Sequence, residues 1–291
     1  MSYADSDALV STEWLAERLS APDIRVVDGS WKMPGVTPTA HDDYRARHIP
    51  EAVFFDLDDI AADGTTLPHM YPSPEKFSAR VRKLGLGDGN RIVVYDSAGL
   101  MSAARVWWMF RSFGHSDVSV LDGGLPKWLA EGRPVDDMVP LPRERHFTAK
   151  FNNMMVRDKE QIRANLATQR EQVLDARSKP RFDGTVAESW PGRRSGHIPG
   201  SFNLPFDQLI DPKTKTMRPK EQLAALFARS GIASNRPVVT SCGSGVTACV
   251  LALGLHLLGH RDVAVYDGSW AEWGLPGDTP VETAASGAKP G

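Results

Sequence analysis

Cysteine is almost absent from the chain: two in 291 residues, Cys242 and Cys249. Two thiols seven positions apart build neither a disulfide framework nor a Cys-rich structural zinc site, and a reducing, cytoplasmic home is expected. An excess of one charge is missing too. Lys plus Arg number 34 against 36 Asp plus Glu, a formal charge of -2, so no global field draws the chain to nucleic acid or an anionic membrane. Long apolar runs are also lacking. The richest, Val246 to Leu258, is interrupted by Gly254 and His256 and is too short to span a bilayer. The first residues have no basic stretch followed by an apolar core, so no secretory signal is expected. No His/Cys/Asp/Glu group has metal-ligand spacing, and no GxGxxG or Walker loop follows a strand. Neither a metal nor an organic cofactor is expected. What remains is 41% hydrophobic and 24% charged, the composition of a globular chain long enough for two domains.

The chain repeats itself. Residues 91–128 overlie 236–273 at a constant offset of 145, pairing Val93 with Val238, Ala103 with Ala248, His115 with His260 and Asp122-Gly123 with Asp267-Gly268. Earlier pieces repeat at slightly larger offsets: Val26-Val27-Asp28 over Val173-Leu174-Asp175, and His48-Ile49-Pro50 over His197-Ile198-Pro199. One register held over such a stretch means a duplicated domain of ordinary size, too long a unit and too few copies for a solenoid. Within each copy, Ile92–Tyr95 and Val238–Thr240 read as buried strands, and Val118–Leu121 and Val263–Tyr266 as strands ending in Asp-Gly turns. Ala103–Phe113 and Thr247–Leu258 read as helices, with Trp107 and Trp108 as core or domain-interface packing. Alternation of this kind gives an α/β fold, a parallel sheet in each half flanked by helices on both faces. A Pro- and charge-rich stretch from Gly132 to Arg145 opens the linker. The expected division is 1–135, a linker over 136–155, and 156–291. From about Thr283 the chain is small and polar and is expected to fray.

The halves differ most where a strand meets a helix. The second reads Ser241-Cys242-Gly243-Ser244-Gly245-Val246-Thr247; the first reads Asp96-Ser97-Ala98-Gly99-Leu100-Met101-Ser102, so Ser97 stands where Cys242 does. A loop of small residues at a helix N-terminus turns its N–H groups toward one point, which favours an anion and hence a cysteine thiolate. The glycines permit a tight cradle. The plainer reading, a buried small residue, suits Cys249 inside its apolar helix better than Cys242. A Cys-x5-Arg phosphatase would need arginine at 248, where the chain has Ala248. Sulfur transfer through a Cys242 persulfide remains, with the loop N–H groups stabilising the anion. His48 and His197 recur in both halves, which favours a structural role.

These motifs, CGSGVTA (242–248), GHIPGSFNLPF (196–206), RHIPEAVFFDLD (47–58), HMYP (69–72), SAARVWWMFRSFGH (102–115) and LDGGLPKW (121–128), resemble the tandem-domain rhodanese family, and most closely its 3-mercaptopyruvate sulfurtransferase branch. The resemblance runs from about Leu9 to Trp273. It implies two rhodanese-like α/β domains, the N-terminal one without its cysteine. It also implies a site between them, with Cys242 as nucleophile and persulfide carrier and Ser244, His69 and Asp58 as a proton relay. Gly243, Gly245, Val246 and Thr247 complete the donor loop, and uncharged Gly243-Ser244 matches the mercaptopyruvate rather than the thiosulfate branch. Arg181 matches one of two family arginines that clamp the donor carboxylate. The second place holds Trp190, with Arg193 or Arg194 as substitutes. The implied reaction moves sulfur from 3-mercaptopyruvate, a small-molecule donor, to a thiol, cyanide or thioredoxin-like acceptor. A thiosulfate:cyanide sulfurtransferase and a non-catalytic sulfur-binding or redox-sensing module are the alternatives.

Overall fold

The computed structural model describes residues 3, 4 and 6–284; the end of the tail expected to fray lies outside the described residues. Two five-stranded sheets, all parallel, carry the chain. The first contains β1 (Leu9–Val10), β2 (Ile24–Asp28), β3 (Val53–Phe54), β4 (Arg91–Tyr95) and β5 (Val118–Leu121) in the order β1-β5-β4-β2-β3. The second contains β6 (Val156–Arg157), β7 (Gln172–Asp175), β8 (Phe202–Asn203), β9 (Val238–Ser241) and β10 (Val263–Tyr266) in the order β6-β10-β9-β7-β8. Strand for strand the order is the same, so the duplication legible in the sequence is one of topology. β4 and β9 are the central strands, and their Val/Ile runs are buried as covering on both faces requires.

Each central strand feeds a buried helix, Ala103–Ser112 after β4 and Ala248–Leu257 after β9, and the two pack against each other across the domain boundary. One apolar cluster therefore runs through both halves, from Phe55, Phe77 and Trp107 to Leu209, Phe227 and Leu253. The outer faces keep separate clusters, around Trp128 in one half and Trp270 and Trp273 in the other. Gly254, which interrupts the apolar run, has a packing reason: a Cβ there would lie 2.7 Å from Leu209 Cδ2. Residues 137–152 form neither helix nor strand and lie against the first half, with Phe147 buried, Lys150 N–H donating to Phe113 O at 2.8 Å and Asn152 N–H to Ser112 O at 2.7 Å.

The two Asp-Gly turns do more than close strands. Half-buried Asp122 accepts the N–H of Met217 from the other half at 2.7 Å, and buried Asp267 accepts the N–H of Tyr71 at 2.7 Å. The repeat offset of 145 relates the two aspartates, so the halves clasp each other reciprocally. His48 and His197 take equivalent structural places. Each Nδ1 lies 2.7 Å from a carbonyl, of Tyr44 and Phe182 respectively.

Candidate active site

Cys242 leaves the C-terminal end of β9, where parallel α/β sheets bind ligands. It is 2% exposed. The loop is stitched to the chain after β10: Cys242 N–H donates to Ser269 Oγ at 3.1 Å, while the Cys242 and Gly243 carbonyls accept from Trp270 and Ala271 at 2.9 and 2.7 Å. Among the described residues no acceptor takes the N–H groups of Gly243 to Ala248. Gly245 has φ +77°, and a Cβ there would lie 2.8 Å from Asp267 O, so only glycine makes this turn unstrained. Ser244 and Val246 are buried and Thr247 half-buried.

The same loop in the first half is closed on itself. The Asp96 carboxylate accepts the N–H groups of Ala98, Gly99, Met101 and Ala103 at 2.7–2.9 Å, and Ser97 N–H donates to Ser30 Oγ at 2.8 Å. The cradle persists there, filled by the protein's own anion. Burial nevertheless pushes the Asp96 carboxyl above its ordinary range.

His69 arrives from the first half. It is buried and holds φ +59°, a conformation that a non-glycine residue keeps only where its surroundings impose it. Its Nδ1 lies 3.1 Å from Asp58 Oδ1, and this contact, with Trp31 adding to it, holds the exposed Asp58 carboxyl below the usual carboxylate range. Trp31 Nε1–H donates to Asp58 Oδ2 at 3.2 Å, and its ring stands edge-on to His69 at 4.7 Å. Trp190 from the second half meets the imidazole at 6.0 Å. Arg105, fully buried, joins this histidine loop to the cysteine loop: Nη2 donates to His69 O at 2.5 Å and Asp267 Oδ1 at 2.8 Å, and Nη1 to Gly245 O at 3.4 Å.

Arg181 faces the loop from the short helix Lys179–Phe182. Its Nη2 lies 3.1 Å from the place a Gly243 Cβ would take, and Trp190 Nε1 lies 3.7 Å from it. Glu188 carries Arg181 on one oxygen and buried Arg177 on the other, at 2.5 and 2.6 Å, and Arg177 also pairs with Asp175 at 2.6 Å. Arg193 and Arg194 are engaged elsewhere. Arg193 donates to the carbonyls of Ala271 and Pro191 at 2.9 and 2.7 Å, and Arg194 to those of Thr279 and Trp273 at 2.9 and 3.1 Å. Cys249 is core as expected; its thiol donates to Gly245 O at 3.3 Å, and burial pushes it up to about 12. Sequence reasoning missed Trp31, Arg105, Glu188 and Asp267. Only Arg105 left a local signal, a charge inside the otherwise apolar run AARVWWMF.

A paired α/β unit with one armed cysteine loop, one loop closed on itself and a histidine supplied across the boundary defines the class of protein. The chain matches the rhodanese-like domain family over residues 11–131 and again over 158–275, and it belongs to that family. Thiosulfate/3-mercaptopyruvate sulfurtransferase 1, mitochondrial, of Arabidopsis thaliana is 43% identical to it, over 98% of this chain and 80% of that one. Human 3-mercaptopyruvate sulfurtransferase is 42% identical over 91% of each chain. The crystal structure of SseA from Escherichia coli, a 3-mercaptopyruvate enzyme of rhodanese fold, is similar with a TM-score of 0.83 and 36% identity, covering 91% of this chain and 99% of that one.

Proposed function

We propose that the chain is a sulfurtransferase that takes sulfane sulfur from 3-mercaptopyruvate onto Cys242 and passes it to a thiol or cyanide, releasing pyruvate. The observation that carries this reading is the contrast between the loops: the Asp96 carboxylate occupies the N–H cradle of the first half, whereas among the described residues no acceptor takes the N–H groups of Gly243 to Ala248 in the second. A persulfide anion on Cys242 is what such a cradle stabilises.

In the first step the Cys242 thiolate attacks the donor sulfur. The sulfur–sulfur bond forms as the donor carbon–sulfur bond breaks, and the electron pair leaves with the carbon as pyruvate enolate. The proton of the donor thiol moves through Ser244 and His69, oriented by Asp58, to the enolate carbon. In the second step an acceptor thiolate or cyanide attacks the outer sulfur and the Cys242 thiolate is regenerated. Arg181, with Trp190 Nε1 beside it, receives the donor carboxylate; the carbonyl contacts of Arg193 and Arg194 support a scaffolding role for that pair. A reduced thioredoxin-like protein is a further acceptor, and the two free thiols suit the reducing cytoplasm.

Thiosulfate as donor is a second reading, favoured by Trp190 standing where a second cation would grip a carboxylate. The test is a paired assay, pyruvate release from 3-mercaptopyruvate against thiocyanate release from thiosulfate and cyanide, with intact-protein mass spectra after donor treatment. A higher kcat/KM in the first arm is expected, with one sulfur atom added to the wild-type chain and none to Cys242→Ser. Parity or the reverse order would move the assignment to thiosulfate. Absence of added sulfur would leave a binding or sensing module.

A further inference from the structure

Arg105 is a fully buried charge. Its guanidinium sits in the first turn of the buried helix Ala103–Ser112, between two domains, where burial of a charge is costly unless it is paired and hydrogen-bonded. Its partners come from both halves. Nη2 donates to the His69 carbonyl and to Asp267 Oδ1, Nη1 to the Gly245 carbonyl, and the guanidinium lies over the Tyr71 ring at 4.4 Å. Asp267 returns the link by accepting Tyr71 N–H through its other oxygen. One side chain thus touches the histidine loop at 69 and 71 and the cysteine loop at 245.

The duplication supplies an internal control for what this arrangement is for. The position related to Arg105 by the offset of 145 is Val250. Its aspartate counterpart, Asp122, clasps the other half through Met217 N–H with no arginine. The histidine has a counterpart as well. His69 lies five residues before the Pro74–Lys83 helix and Lys215 five before the Lys220–Arg229 helix, with φ of +59° and +62°. Lys215 packs on Gly99 of the closed loop just as the histidine segment approaches the armed one. Clasp, left-handed residue and loop–loop approach therefore all form without an arginine where there is no cysteine. Arginine is added only on the side where chemistry is done.

Building on the sulfurtransfer reading, we propose that Arg105 is a positioning residue of the donor step, holding the His69 loop of the first domain in register with the cysteine loop of the second. The non-catalytic domain contributes to the reaction through it. Misplacement of a proton-relay group by about 1 Å costs up to about a hundredfold in rate, so a support of this kind acts on turnover rather than on donor binding.

The experiment is a double-mutant cycle between Arg105 and His69 on the full chain. Arg105→Met is combined with Asp267→Asn so that no unpaired charge is left buried, a replacement that is often neutral for stability. The expected result with 3-mercaptopyruvate is a fall in kcat of about ten- to a hundredfold with KM changed less than about twofold. In a His69→Ala background the same pair of changes should cause no further loss, and its effect on Tm should be equal in both backgrounds. Arg105→Lys, which keeps the charge but lacks the planar fork, should recover part of the rate. Additive losses, or an unchanged kcat, would overturn the proposal and leave Arg105 a structural clasp. If the paired variant does not fold, the cycle between Arg105→Lys and His69→Ala decides by the same criterion. A wild-type chain that takes no sulfur from 3-mercaptopyruvate would refute the function itself, and this inference with it. An active wild type that is impaired by His69→Ala but additive with the Arg105 changes refutes the inference alone.

Discussion

Asp122 and Asp267 occupy equivalent places in the repeat and meet different surroundings. Asp267 has the Arg105 guanidinium beside it, whereas burial pushes the Asp122 carboxyl up to about 6 against the opposing pull of Met217 N–H and Lys127. With a folded-state pKa above the ordinary carboxylate value, the folded chain binds more protons than the unfolded one, so this group's contribution to stability falls as pH rises from about 4 through about 6. Asp122→Asn keeps an oxygen for Met217 N–H and removes the ionisation. It is expected to stabilise the chain by about 1–2 kcal/mol at pH 8 and by almost nothing at pH 4, read from urea unfolding at the two pH values. An equal gain at both would show that charge is not the cause. Sequence showed both aspartates only as turn formers, because nothing local to an Asp-Gly pair says that its carboxylate reaches another domain.

The cysteine loop is an element whose shape depends on one residue. At Gly245 a Cβ would meet both a left-handed φ and the Asp267 carbonyl at 2.8 Å. Gly245→Ala is therefore expected to cost about 1–2 kcal/mol and to lower sulfur loading of Cys242 well beyond that stability loss, measured by Tm and by mass spectrometry of the loaded chain. Sulfur loading at the wild-type rate would show that the loop does not need this turn. Regular elements were legible in the sequence: Val118–Leu121 and Val263–Tyr266 agree at both ends, and the helix read as Ala103–Phe113 runs Ala103–Ser112. Their signal is local, β-branched runs and apolar periodicity bounded by turns. Short edge strands such as β3 and β8, two residues each, carry no such pattern and are strands only because β2 and β7 pair with them.

At the scale of the whole molecule, the two halves share one core. The Ala103–Ser112 and Ala248–Leu257 helices pack together inside a single cluster, while each sheet keeps a separate outer cluster. Unfolding either half would expose the apolar side of the other, so one cooperative transition is expected rather than two. Leu253→Ala, in the second half, should cost about 2–5 kcal/mol and shift the transition of both halves together. Hydrogen exchange in β4 and β9, followed in the same sample, checks this. A loss of protection confined to β9 would show that the halves unfold independently.

By itself the sequence determined the duplication, the α/β alternation and the contrast between the loops at Cys242 and Ser97. Each of these is written in spacing along the chain, since strand and helix periods and glycine-rich turns depend on neighbours within a few residues. It also marked His69, Asp58 and Arg181 by resemblance, without a physical account of what holds each in its place. That was decided by the tertiary structure alone. The packing of one half on the other brings residue 105 to 267 and Trp190 to His69. Charges and N–H groups far apart in the chain acquire energies only when burial removes water from between them, and no pattern of neighbours encodes that distance.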